Sequence, residues 1–147
     1  MSRSKEKGTR FETAVVRHLR DALGDPRPER MALAGRRDVG DVGHVFAHGR
    51  EGVLECKCHE RVTPALVGAW RDQTLAEREN AGADWAALVV SVHGRGTGRS
   101  EAHVTLRDLA RVAQPLMVND GWLDRADGAW VRMDLDELIG LMREDQR

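Results

Sequence analysis

The stretch from Ala86 to Val92 constrains the fold of this chain more than any other. Apart from Ser91 it is apolar, short and β-branched, with no polar face. Such a strand belongs in the middle of a sheet with both faces covered, because a half-solvated strand would alternate polar and apolar residues. The segments around it fit that demand. Val16, Leu19 and Leu23 recur at spacings of three and four, which predicts an amphipathic helix over about Thr9 to Leu23, stopped by Gly24-Asp25-Pro26-Arg27-Pro28. Val42 to Ala47 and Val53 to Cys58 read as two strands joined by a turn over His48 to Gly52, a hairpin. Thr63 or Pro64 opens a helix that runs to about Asn80, with Gly82 just beyond its end. The order α, β-β, α, β predicts a three-layer α/β domain with a mixed central sheet flanked by helices.

The remaining segments are less regular. Residues 1–8 read as a flexible basic arm, and residues 29–37 as irregular and basic. Gly94 to Ser100 holds three glycines and two arginines but lacks the lysine of a phosphate-binding loop, so it reads as a surface loop or a mobile loop near a ligand. His103 to Leu106 is a candidate strand and Arg107 to Ala113 a short helix. Trp122 to Met133 suggests a hairpin around Asp127-Gly128, and Asp134 caps a final helix to Arg143. Neither a repeat nor a linker divides the 147 residues, which reads as one domain with its core over about 9–93.

Composition narrows the setting. No apolar run approaches the roughly 18 residues that cross a bilayer, and the polar, basic N-terminus is unlike a signal peptide. A cytoplasmic protein is the expectation. Cys56 and Cys58 lie two apart in an extended strand, a poor geometry for a disulfide. With His59 they fall short of the paired ligand spacing of a zinc site, so they read as small buried hydrophobes. The net charge of −1 conceals an asymmetry: residues 1–37 carry net +5, and residues 101–147 net −4. A basic N-terminal third suits one face to a polyanion. A solvated, arginine-rich surface is the alternative.

Chemistry centres on Gly40-Asp41 and Glu55-Cys56-Lys57. Alternation along the second strand puts Glu55 and Lys57 on one face with Val53, and Leu54, Cys56 and Cys58 on the other. Glu-x-Lys alone describes many solvent-facing charge pairs. Asp41 adds weight because it opens the partner strand, although a regular hairpin leaves it several residues past Glu55. A bulge or bend near Gly43 is needed to bring the two together. Asp38 competes for the same role. Glu12 has two readings: the reciprocal member of a capping box begun by Thr9, or a carboxylate on the apolar stripe aimed at the sheet and in need of a partner. Trp70 and Trp85 read as core residues rather than base-stacking platforms.

Lys7-Gly8-x-x-Phe11-Glu12, Gly40-Asp41 and Glu55-Cys56-Lys57, in that order and spacing, resemble the PD-(D/E)XK nuclease superfamily and, more narrowly, archaeal-type and phage Holliday-junction resolvases. The resemblance covers about residues 5–93. The proline of the motif is absent, since Gly40 precedes Asp41, and residues 101–147 match nothing in the family. The resemblance implies a restriction-endonuclease-like fold and Mg²⁺ or Mn²⁺ held by Glu12, Asp41, Glu55 and the Cys56 carbonyl. It implies that Lys57 serves the attacking water and the phosphate, with Gln73 as a possible helper. It also implies a homodimer acting on four-way or otherwise branched DNA, in a prokaryotic cytoplasm or encoded by a phage. Lys5, Lys7, Arg10, Arg36 and Arg37 flank the blocks and are the candidate phosphate contacts. The other readings are a restriction, repair or nicking nuclease of the same superfamily, a non-catalytic nucleic-acid-binding module of the same fold, and a plain α/β interaction domain.

Overall fold

A computed structural model describes residues 2–32, 38–113 and 124–143. A six-stranded mixed sheet runs in the order β1 (Glu29–Arg30), β2 (Val42–Ala47), β3 (Arg50–Lys57), β4 (Trp85–Val90), β5 (Glu101–Thr105) and β6 (Trp130–Asp134). Only β3 and β4 are parallel; they are joined by the crossover helix α2 (Pro64–Ala81). The other neighbours pair antiparallel. The described residues also form helices α1 (Arg3–Leu23), α3 (Leu106–Val112) and α4 (Leu135–Met142). The expectation of an α/β protein with a mixed sheet between helices is borne out.

The core follows from the apolar alternation. Phe11, Val15, Val16 and Leu19 of α1 join Leu135, Leu138, Ile139 and Met142 of α4 over one sheet face. That face presents Val42, Val45, Leu54, Cys56, Trp85, Ala87 and Val89. Each fully buried Leu or Val there contributes about 1.5–3 kcal/mol of transfer free energy. On the opposite face Leu88 and Val90 pack under Trp70 of α2. All six residues of β4 are buried, as a strand without a polar face requires. Trp70 and Trp85 are core residues. Among the described residues no helix is long and apolar enough to cross a membrane.

Several expectations need correction. Residues 3–8 are not a flexible arm but the first turns of α1, whose cap is Ser2. Gly8 lowers helix propensity by about 1 kcal/mol relative to Ala, too little to interrupt a helix whose neighbours are good formers. Thr9 therefore lies inside α1, where its carbonyl accepts from the Thr13 hydroxyl at 2.9 Å, and the capping box involving Glu12 does not exist. The hairpin turn is two residues, not five: Ala47 pairs with Arg50 across His48 (φ 48°) and Gly49 (φ 77°). Two successive positive φ values match the twist of the flanking strands. The polar Arg50-Glu51-Gly52 belongs to β3, and Gly52 is required there because a Cβ would stand 2.1 Å from the Trp85 ring. The strand after the glycine-rich loop starts at Glu101, and α3 at Leu106.

Among the described residues no hairpin forms around Asp127-Gly128, and Trp122, the start expected for it, lies outside them. Asp124–Gly128 is a 3₁₀ turn, and β6 pairs with β5 instead. The Asp127 carboxylate is drawn inward, accepting from Arg78 at 2.6 and 2.9 Å. The glycine-rich loop is partly structural, since Thr97–Arg99 form a 3₁₀ turn and Gly98 packs directly on Asp136 at the start of α4. The final helix and its Asp134 cap stand as expected, with Glu137 reaching back to the Asp134 N–H at 3.0 Å.

Candidate functional site

Two local features place Asp41 against Glu55. With the two-residue turn alone, the Ala47–Arg50 pairing would continue to set Asp41 opposite Cys56. A residue opposite Cys56 points to the wrong face, because side chains alternate with a period of two. The ladder then slips by one residue between Val45–Gly52 and Val42–Leu54, a bulge at Gly43 and His44. That slip sets Asp41 opposite Glu55 and on the same face. The bend sought near Gly43 exists. It is held by His44 (φ 57°), whose ring lies between Glu29 at 3.2 Å and Glu51 at 2.9 Å. β2 begins only at Val42, so beyond it the edge of β3 has no neighbouring strand. Asp41 takes that place: its N–H donates to the Leu54 carbonyl at 3.0 Å, and its Oδ2 accepts from the Cys56 N–H at 2.8 Å. The N–H and C=O of one residue in an extended strand leave on the same side, so the Cys56 carbonyl points to this open edge too.

Glu55 is not at a solvent-facing sheet surface. Helix α2 covers that face, and Glu55 is 3% exposed. Its Oε1 accepts from Lys57 Nζ at 2.9 Å and from the Gln73 amide at 3.2 Å. Glu12 reaches the same edge from α1, on the far face of the sheet, where Arg30 of β1 donates to its Oε2 at 2.9 Å. Its carboxyl adjoins that of Asp41. Glu12, Asp41, Glu55 and Lys57 thus line one cleft of about 490 Å³ with Lys7, Gly8 and Cys56. A larger hollow of about 720 Å³, between the end of α1 and the β2–β3 turn, gathers no comparable cluster of carboxylates.

Charge in the cleft is poorly balanced. Burial, then repulsion from Glu55, pushes the Asp41 carboxyl up to about 6. Burial and the neighbouring Asp41 also raise Glu12, against the pull of Arg30. Burial disfavours the Lys57 ammonium, yet its hydrogen bond and attraction to Glu55 prevail and raise it above its ordinary value. Lys57 is therefore fully charged at neutral pH. Burial and the surrounding carboxylates push the Cys56 thiol up, so it remains a protonated core group. Both cysteines are free, and His59 stacks on Trp70 at 4.8 Å rather than joining them.

Behind Glu55 lies a group that sequence reasoning largely missed. Gln73, expected as a helper, donates to Glu77 at 2.8 Å, to Glu55 at 3.2 Å and to Asp38 at 3.4 Å. Glu77 is 1% exposed; burial, then its hydrogen bond with Glu55, pushes it up to about 10. A legible signal existed: Glu77 and Arg78 fall on the same stripe of α2 as Trp70 and Thr74, all four buried. Charged residues on the buried stripe of a helix need partners. Asp38, the weaker competitor for Asp41's place, sits here instead, its Oδ1 accepting from the Gly40 N–H at 3.1 Å. Gly40 (φ 92°) is confined by the Leu54 carbonyl, 3.3 Å from where a Cβ would be.

Of the candidate phosphate contacts, Lys5, Lys7 and Arg10 are exposed on α1. Lys7 lines the cleft and pairs with Glu60 at 2.9 Å. Arg36 and Arg37 lie outside the described residues. In comparisons with known proteins, no family model, no curated protein and no solved structure matches the chain.

Proposed function

We propose that the chain is a divalent-metal-dependent DNA endonuclease with a restriction-endonuclease-like fold, cutting branched DNA such as a four-way junction as a homodimer. The observation that carries this reading is the meeting of Glu12, Asp41, Glu55 and Lys57, from three separate segments, where β3 runs past the start of β2. A structural role alone explains the group poorly, because buried like charges repel and the cleft offers them mainly Lys57 and Arg30.

The donor set fits Mg²⁺ or Mn²⁺. It consists of carboxylate oxygens and a backbone carbonyl, and Glu55 Oε2 is buried without a hydrogen-bond partner. Asp41, Glu55 and the Cys56 carbonyl would hold the ion, and Glu12 would complete the set. When bound, such an ion polarises a phosphoryl oxygen and makes a coordinated water more acidic. Lys57, kept charged by Glu55, acts as a clamp on the negative charge that grows on the phosphate, a better role for it than that of a base. Asp41 is fixed by the Cys56 N–H and ionised at neutral pH, so it stands oriented before substrate arrives. Lys5, Lys7 and Arg10 supply phosphate contacts that position DNA without reading its sequence. A two-fold dimer would present this edge twice, as paired cuts across a junction require.

The test is Mg²⁺-dependent cleavage of a synthetic four-way junction. Asp41→Asn should lower the rate by about 100- to 10,000-fold, the scale at which a positioned catalytic group acts. Linear duplex cut as fast as the junction would move the protein to a restriction, repair or nicking role. Salt-sensitive binding without cleavage would make it a binding module, and no DNA binding at low salt would end the reading.

A further inference from the structure

The carboxylates behind Glu55 form a second arrangement with its own geometry. Asp38, Glu55 and Glu77 each bring an oxygen within 4.8 Å of the others. Oxygens sharing one ion at about 2.0–2.6 Å stand at most about 4–5 Å apart. Glu77 Oε2, 1% exposed and not part of the outer cleft, is buried with no donor other than a proton shared with Glu55 to reach it, and Glu55 Oε2 beside it is likewise orphaned. A buried acceptor left unpaired costs about 1–3 kcal/mol, and more when charged, so a donor or a cation belongs between them. Among the described residues the local cations are committed: Lys57 lies on Glu55 Oε1, and Arg30 on Glu12. Gln73 has two amide hydrogens for three carboxylates, so one is always left short. The cluster is also fixed in advance, since Asp38 Oδ1 is held by the Gly40 N–H and its backbone carbonyl accepts from Asn80 at 2.9 Å.

We propose that Asp38, Glu55 and Glu77 hold a divalent cation of their own on the α2 side of Glu55. Glu55 is then shared between this inner ion and the one at Asp41, the only point at which the inference rests on the endonuclease reading. An all-oxygen set selects a hard cation, Mg²⁺, Mn²⁺ or Ca²⁺, over zinc or copper. Turned over, the Gln73 amide would offer its oxygen to the ion.

A proton shared by Glu55 and Glu77 is the competing occupant, and Glu77→Gln separates the two. The amide replaces a protonated acid with little change, but in place of a carboxylate ligand it removes a negative charge that holds the cation and weakens its binding. Mn²⁺ titration of the whole chain at neutral pH, followed by the paramagnetic resonance of the free ion, counts the sites. The expected result is two ions for the wild type and one each for Glu77→Gln and Asp41→Asn. Mn²⁺ should also raise the unfolding temperature of Glu77→Gln less than that of the wild type. If Glu77→Gln binds as many ions as the wild type, and as tightly, the inner site is overturned. A wild type with a single ion, lost in Asp41→Asn but kept in Glu77→Gln, overturns the inner site and leaves the endonuclease cleft intact. If Glu77→Gln loses an ion while Asp41→Asn loses none, the inner site stands and the outer one falls. Should Glu77→Gln fail to fold, Asp38→Asn at an exposed position serves instead, with the same expected loss of one ion.

Discussion

Glu77 and Arg78 are neighbours on α2, 1% and 4% exposed, and they meet opposite surroundings. Arg78 turns toward two carboxylates: Nη1 donates to Asp108 at 2.9 Å, and Nη1 and Nη2 grip Asp127 at 2.9 and 2.6 Å. The Thr105 hydroxyl and the Ala86 N–H complete that cluster, and Arg107 stands 3.5 Å from Asp108. Glu77 turns toward Asp38 and Glu55, whose one close cation is Lys57. One side of the helix buries opposite charges in direct contact, which pin the 3₁₀ turn to the sheet although Arg78 Nε and Asp108 Oδ1 keep no hydrogen-bond partner. The other buries like charges with oxygens left over. Balanced burial is how a fold holds itself together, and unbalanced burial marks where it awaits a partner from outside.

The sharpest way to break this contrast is Glu55→Gln. Cleavage of a junction should fall by about 100-fold or more, while the unfolding free energy without metal stays within about 1 kcal/mol of the wild type. A large loss of stability would show that the acidic cluster is structural after all. Arg78→Met is the converse. It leaves Asp108 buried and weakly compensated, and should destabilise by about 3 kcal/mol in urea unfolding, with Arg107 limiting the damage. Metal binding per folded molecule should not change.

Asp127 beside Arg78 and Glu77 beside Glu55 should also respond to pH with opposite signs. The hydrogen bond from Arg78 holds the Asp127 carboxyl below its ordinary 3.8, so the stability it lends is complete above that value and is lost as pH falls through the folded one. Asp41 at about 6 and Glu77 at about 10 are raised. Between the unfolded and folded values the native state binds more protons than the unfolded chain, so stability falls as pH rises. Metal-free protein should therefore lose stability as pH rises from about 4 toward 10, with Glu77 alone acting above about 6, and Glu77→Gln should flatten that slope. Urea midpoints across the range, with chelator present, decide it. The smallest effect is expected from Lys7→Ala: no measurable shift in unfolding, but a salt dependence of junction binding shallower by about one.

Much of this molecule was legible as pattern. The unrelieved apolar character of β4, the stripe on α1, and the Thr63-Pro64 start and Gly82 end of α2 each record a local rule, so these elements fall close to where spacing puts them. The Asp41 and Glu55 pairing was legible only as a requirement. Gly43 marks where a bulge had to occur, but the slip itself depends on His44 adopting a positive φ between two glutamates from different strands. Glu77 was less visible still, because a glutamate in a polar helix looks like solvated surface until the sheet is placed beneath it.

The chain by itself determined the main bodies of α1, α2, β2, β3 and β4 and the apolar stripe of α1, since those depend on periodicity and on caps a few residues apart. Tertiary structure alone decided that Asp41 points at Glu55 rather than away, that Glu77 faces two other carboxylates, and that Arg78 next to it grips Asp108 and Asp127. Each of those turns on a one-residue register or on a contact dozens of positions distant, such as the 49 residues between Arg78 and Asp127. Charge is where that distinction bites hardest, because its energy depends on what lies within a few ångströms in space rather than along the sequence.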